Sequence, residues 1–190
     1  MKLISRNTLI SKSHGWYKIE KNGLILWFKG YLFDLNAEEV HSQLTNFLHK
    51  ETFNLNYLSS WVNTLNGHFS LILITSDSIF AAVDKVNTIP LFYSFKNGSF
   101  FISNKASLIK DQDPTIQDKL NSQASLEIEM SGYTIGRKTL YQDIFQITSG
   151  ECLYFEKEIL NRAFYYTYSP WKVKHRGEQE LIKEFNIILN

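Results

Sequence analysis

Apolar positions along the chain recur with two spacings, and each spacing predicts its own kind of element. Leu24-Ile25-Leu26-Trp27-Phe28 is an unbroken apolar run between Gly23 and Gly30, which reads as a strand covered on both faces. Lys29 to Asp34 reads as its end and turn. Asn36, with Glu39 three residues on, makes a capping box for a helix whose apolar face is Val40, Leu44, Phe47 and Leu48. Leu58, Trp61, Val62 and Leu65 mark a second helix. It is expected to stop at Asn66-Gly67, with Gly67 left-handed at the helix end. A block of strands follows: Phe69 to Thr75, Ile79 to Val83, Pro90 to Phe95, and Ser99 to Ile102, with an Asn97-Gly98 hairpin turn between the last two.

Asp113-Pro114 reads as a helix start, with a helix over Thr115 to Met130 carrying Ile116, Leu120 and Ala124 on one side and ending at Ser131-Gly132. Tyr133 to Ile147 is expected to be mostly extended. Thr148-Ser149-Gly150 turns the chain into a strand at Glu151 to Phe155, and Arg162 to Tyr166 reads as another extended piece. Residues 169–177 form a linker. Residues 178–190 form an amphipathic helix, with Leu181, Ile182, Phe185, Ile188 and Leu189 needing a surface to cover. The order of elements favours a layered α+β fold.

Composition narrows the function classes. The 20 Lys and Arg against 19 Asp and Glu leave a net charge of +1, so there is no broad basic face for nucleic acid. No apolar run approaches the roughly 20 residues of a membrane span, and no signal-like apolar stretch opens the chain. A cytoplasmic location is expected. The one cysteine, Cys152, excludes an intrachain disulfide and any multi-cysteine metal site. It lies mid-strand and reads as a small buried apolar residue.

The five histidines are scattered, and no metal site is expected. His41 and His49 read as surface residues on an exposed helix edge. Ser5, Thr8, Ser11 or Ser13 would serve as a nucleophile only after removal of a propeptide, and nothing marks a cleavage site. The basic stretch Lys172 to Arg176 reads as solvated linker.

Several segments, in order, resemble those of one known family. Leu65-Asn66-Gly67-His68-Phe69-Ser70-Leu71 is similar to the family's Leu-x-Gly-x-Phe-Ala-Phe. Ala82-Val83-Asp84-Lys85-Val86-Asn87-Thr88-Ile89-Pro90-Leu91-Phe92-Tyr93 resembles Ala-Arg-Asp-Arg-x-Gly-x-x-Pro-Leu-Tyr-Tyr. Gly98 to Leu108, Gly132 to Ile144 and Ser149-Gly150-Glu151-Cys152-Leu153 resemble three further family segments. The resemblance, to class II glutamine amidotransferases of the asparagine synthetase family, covers roughly residues 24–168. It implies the N-terminal nucleophile hydrolase fold, an αββα sandwich of two antiparallel sheets between helices.

The same resemblance implies an altered active site. Family glutaminases attack with a Cys directly after the initiator Met, whereas position 2 here is Lys2. The family segment Asn-Gly-Glu-Ile-Tyr-Asn is here Lys29-Gly30-Tyr31-Leu32-Phe33-Asp34, so the glycine is kept but the oxyanion donor Asn is replaced by Lys29. The segment bearing the family's substrate-carboxylate Arg is lacking, the first clear strand beginning at Leu24. Glu51-Thr52 is the nearest fragment to the family's Asp-Thr-Glu.

The expectation is therefore a degenerate glutaminase-like domain over residues 1–168, similar to the inactive domains of β-lactam synthetases and lasso-peptide cyclases. No residue is assigned a catalytic role. Lys29, Gly30 and Tyr31 line a residual pocket, and Asp84 and Pro90 tie structure together near a domain junction. No cofactor is expected in this chain. ATP and Mg belong to a synthetase domain, absent here, that residues 178–190 begin or dock to. A homodimer, a stand-alone interaction module, and an active amidotransferase with an unusual nucleophile are the other readings.

Overall fold

The computed structural model describes residues 6–11, 15–48, 54–96, 98–113, 116, 120–170 and 176–189. The Lys2 position, residues 12–14, His49, Glu51-Thr52, Asn97, Pro114 and the basic residues up to His175 lie outside the described residues.

The chain opens with strands β1 (Arg6–Leu9), β2 (Tyr17–Lys21) and β3 (Leu24–Leu32), then helices α1 (Ala37–Leu48) and α2 (Leu55–Thr64). Strands β4 (Gly67–Ile74), β5 (Ser78–Val83), β6 (Phe92–Lys96) and β7 (Ser99–Ser103) follow. Helices α3 (Ala106–Gln112) and α4 (Ser122–Ser131) lead to β8 (Phe145–Gln146), β9 (Glu151–Glu156), β10 (Ile159–Phe164) and the last helix, α5 (Glu178–Leu189).

Two sheets result. One has the order β10-β9-β5-β4-β3-β2 and is antiparallel throughout. The other has the order β1-β7-β6-β8, with β1 parallel to β7 and its remaining pairs antiparallel. Side chains alternate faces along a strand, and the six-stranded sheet uses both of its faces. Leu26, Phe28, Leu71, Leu73 and Phe80 pack under Val40 and Leu44 of α1 and Leu58 and Val62 of α2. Ile72, Ile79, Ala81 and Leu153 meet Tyr93, Phe100 and Ile102 of the second sheet. The outer face of that second sheet carries Phe101 against Ile109 of α3, with Ile116 and Ile144. The layers therefore run helix, sheet, sheet, helix, as the expected αββα sandwich requires, but the β1–β7 pair is parallel where two antiparallel sheets were expected.

The capping box forms as expected. The Asn36 N–H donates to Glu39 Oε2 at 2.7 Å, and the Glu39 N–H donates to Asn36 Oδ1 at 3.0 Å. Gly132 (φ +81°) closes α4.

Other expectations are corrected. The first strand of the large sheet is β2, not the run from Leu24, because an Asn22-Gly23 turn (φ +54° and +73°) joins the two as a hairpin. The strand from Leu24 does not stop at Phe28 but pairs with β4 as far as Leu32. Asp113 ends a helix instead of starting one: its N–H closes α3 on the Ile109 carbonyl at 2.9 Å. The following helix begins only after Asn121, whose Oδ1 accepts from the Ala124 N–H at 3.0 Å. Of the extended piece expected at Arg162 to Tyr166, Arg162 to Phe164 is the end of β10, which starts at Ile159 after a Lys157-Glu158 turn (φ +49° and +61°).

Candidate functional site

The sequence-derived candidates gather where β3 and β4 leave the sheet. Gly30 pairs with Phe69, and Leu32 pairs with Gly67. At Gly30 (φ +111°) a Cβ would lie 1.9 Å from the His68 carbonyl oxygen, and at Gly67 (φ +151°) one would lie 2.2 Å from that of Tyr31. Each backbone fills the space where the other strand's side chain would sit. Gly67 therefore serves the sheet and does not cap the preceding helix, which ends with the Leu65 N–H on the Val62 carbonyl.

Asp84 follows β5 and is 1 % exposed. Its carboxylate accepts three backbone N–H groups: Phe69 at 3.2 Å, Val86 at 2.9 Å and Thr88 at 3.1 Å. Its own N–H donates to the Phe69 carbonyl, and its carbonyl accepts from Asn87 and Gly150. One side chain thus joins β4, the 85–90 loop and the turn before β9. Asn87 in that loop is left-handed (φ +57°), at the place where the resembling family pattern has Gly. Asparagine is among the few other residues that adopt this conformation at small cost. The Ser70 hydroxyl donates to the Ile89 carbonyl, and Pro90 lies exposed at the loop's end. His68 Nδ1 and Thr88 Oγ1 are 2.9 Å apart, and the His68 ring lies 5.5 Å from that of Tyr31.

Gly30 and Tyr31 border a cavity of about 330 Å³ between the β2–β3 pair and the start of α1. Lys29 is not among its lining residues. Strand alternation turns it to the face opposite Phe28 and Gly30, beside Trp27, where it is half-buried. The wall that the sequence reading missed is Tyr17, the register partner of Phe28. The Asn22-Gly23 dipeptide between two strand-like stretches was the signal that could have placed it.

Cys152 sits in β9, fully buried, and burial followed by the neighbouring Glu151 charge pushes its thiol up to about 12. A thiol held so far from ionisation does not serve as a nucleophile near neutrality. Glu151, 1 % exposed, takes Arg137 Nη2 at 2.6 Å, and its other oxygen accepts from the Thr148 N–H and hydroxyl. His41 is not a surface residue. It is 3 % exposed, with Nε2 3.5 Å from the Leu24 carbonyl oxygen and Nδ1 3.4 Å from Thr45 Oγ1. Its place two residues from the capping box turns it inward, between α1 and the sheet. Among the described residues no three His, Cys, Asp or Glu side chains are grouped to hold a metal, and no helix is long and apolar enough to cross a membrane.

Residues 51–166 match a family model described as the glutamine amidotransferase domain. The chain belongs to this family. Asp84 and Pro90 fall inside the matched stretch of this amidotransferase-family protein, while Lys29, Gly30 and Tyr31 precede it. Comparison with curated proteins finds no match. Among solved structures, the chain is similar to glutamine phosphoribosylpyrophosphate amidotransferase from B. subtilis complexed with ADP and GMP. The identity is 16 % and the TM-score 0.43, over 80 % of this chain and 31 % of that one. It is also similar to a structure described as the allosteric regulatory enzyme of purine biosynthesis, at 15 % identity and TM-score 0.41, over 78 % and 30 % of the two chains. This amidotransferase-family chain thus spans about a third of the length of either.

Proposed function

We propose that this chain is a non-catalytic glutamine amidotransferase-like domain of an asparagine synthetase-like protein. It supports an ATP-dependent, amide-forming synthetase domain in a specialised biosynthetic pathway. The carrying observation is Cys152: the one cysteine in the sequence is buried in β9, with its thiol pushed up to about 12. Glutaminase chemistry of this family's kind needs an accessible, readily ionised thiol. Lys29, standing where the resembling pattern has its oxyanion Asn, supports the same reading. ATP and Mg bind in the synthetase domain, which adenylates a carboxylate for attack by an amine. That domain lies in the full protein or in a partner that meets residues 178–190.

The test is incubation of the purified chain with glutamine while glutamate release is followed. No release above background is expected. Release that disappears on a single substitution at Lys29 or Cys152 overturns the proposal.

One observation favours a second reading, a stand-alone interaction module: no residue of α5 is buried. Co-expression with a neighbouring reading frame that carries an ATP-binding Ser-Gly-Gly-x-Asp-Ser loop separates the two. A stable complex with amide-forming activity supports the synthetase reading, and a stable complex with any other kind of protein supports the module.

A further inference from the structure

The cavity beside Gly30 has a chemistry of its own. Its volume of about 330 Å³ lies at the small end of the range for ligand pockets. A dry cavity of roughly half that size already holds a benzene ring. Tyr17 and Phe28, opposite one another across the β2–β3 ladder, form its aromatic wall, and Leu35 and Ala37 face them from the approach to α1. Tyr17 is 61 % exposed, an aromatic surface that the described residues leave largely open.

The polar rim is equally specific. Asn36 lines it, with Oδ1 already engaged by the Glu39 N–H, which leaves the amide Nδ2 to donate to an incoming acceptor. Two carboxylates stand in the adjoining first turn of α1. Glu38 is held by Lys21 at 2.8 Å, and Glu39 accepts from the Asn36 N–H. The cavity lining itself carries no charge, and burying a carboxylate there without a partner costs more than burying a neutral group. None of the eight lining residues is a cation that would hold a carboxylate.

From this we infer that the cavity is a binding site for a neutral, planar aromatic molecule bearing a carbonyl or hydroxyl oxygen. The ring stacks against Tyr17 over Phe28, and the oxygen accepts from the Asn36 amide. Offset or edge-on packing of such a ring on the Tyr17 wall adds to the burial of its apolar area. This is a different ligand from the charged amino acid that the family's glutaminases take. The inference rests on the pocket alone, so glutamate release in the assay above leaves it standing.

The experiment is a titration of the full chain with benzamide, followed by heteronuclear NMR of the backbone amides. Benzoate, of the same shape but charged, and glutamine are titrated in parallel. Saturable shifts confined to Gly30, Tyr31, Asn36 and Ala37 are expected with benzamide, and weaker binding with benzoate. Tyr17→Ala should weaken benzamide about fivefold, the scale of one lost aromatic pair, and Tyr17→Phe should restore it. If Tyr17→Ala fails to fold, Tyr17→Phe and the benzamide–benzoate ranking in the unmodified chain decide. Absence of saturable shifts, shifts scattered over other surfaces, equal affinity in Tyr17→Ala, or a preference for benzoate or glutamine would each overturn the inference.

Discussion

The corner around Gly30, Gly67 and Asp84 and the helix at Glu178–Leu189 obey opposite rules. At the corner, two backbones approach so closely that neither strand tolerates a side chain, and one buried carboxylate accepts the N–H groups of three different residues. In α5, Leu181, Ile182, Phe185, Ile188 and Leu189 are all between half and four-fifths exposed. The corner is over-determined by contacts within the domain. The helix has its sequence pattern and little else, because packing of an apolar face is what normally stabilises a short helix. The lesson is that rigidity in this chain belongs to long-range backbone contact, and amphipathic pattern by itself does not confer it.

The sharpest way to break the contrast is Gly30→Ala. The new Cβ would fall 1.9 Å from the His68 carbonyl oxygen, and the neighbour is backbone, so it cannot swing aside. A loss of about 4 kcal/mol or more, at the exceptional end for a point substitution, is expected in urea denaturation. Asp84→Ala comes next. It strips three N–H groups, that of Phe69 buried and those of Val86 and Thr88 partly so, of their acceptor; about 3 kcal/mol should be lost, with Asp84→Asn keeping part of it through its remaining oxygen. Equal losses for Ala and Asn would show that the remaining oxygen of Asn is no acceptor for these N–H groups, and a small loss for Ala that the loop finds other acceptors.

How much of this was readable in the sequence depends on the range of the cause. The Asn36–Glu39 box, the apolar runs of β4, β5 and β9 and the Gly132 stop are local, and they form where the pattern puts them. β2 escaped because only one of its five residues is buried, so it shows no apolar alternation. The start of β10 also escaped, since none of its six residues is buried, although its end at Arg162 to Phe164 reads as extended. Its Lys157-Glu158 turn is left-handed without a Gly or Asn to announce it. At seven residues, α3 is too short to display a helical period, and Asp113 at its end looked like the start of the next helix. In the site, the glycines at 30 and 67 were legible as residues but not as a mutual contact, since each is explained by a strand thirty-odd residues away. Tyr17 as a cavity wall could not be read before β2 was.

The buried strand β9 offers a smaller and more selective perturbation. Cys152 has its folded thiol pushed up to about 12 from an ordinary value of 9.0, first by burial and then by Glu151. The folded state therefore holds its proton across a window in which the unfolded chain releases it. The stability this contributes is complete below pH 9 and is lost as pH rises from there toward 12. By pH 10 the loss attributable to this thiol is ~1.4 kcal/mol, and Cys152→Ala should flatten that part of the pH curve. Thiol-specific reagent at pH 8 should label the native chain only at the rate of unfolding, and fast labelling would show that β9 opens locally.

Removal of residues 178–189 should have the smallest effect on stability, and it bears most directly on the comparison. Since α5 buries none of its residues, its deletion takes almost nothing from the domain core, and the midpoint should move by no more than the roughly 0.5 kcal/mol typical of surface changes. The Arg176–Glu184 ion pair that links the helix to the residues before it is solvent-exposed and worth little. Three exposed side chains at its end, Ile187, Ile188 and Leu189, lie on adjacent sectors of the helix. The apolar surface is therefore wider than a two-helix seam needs and suits burial against a broader face. If the truncated chain stays folded and loses its complex with a synthetase partner, the helix belongs to the assembly. A drop of several kcal/mol instead would place it in the core of this domain and remove the contrast with the glycine-locked corner.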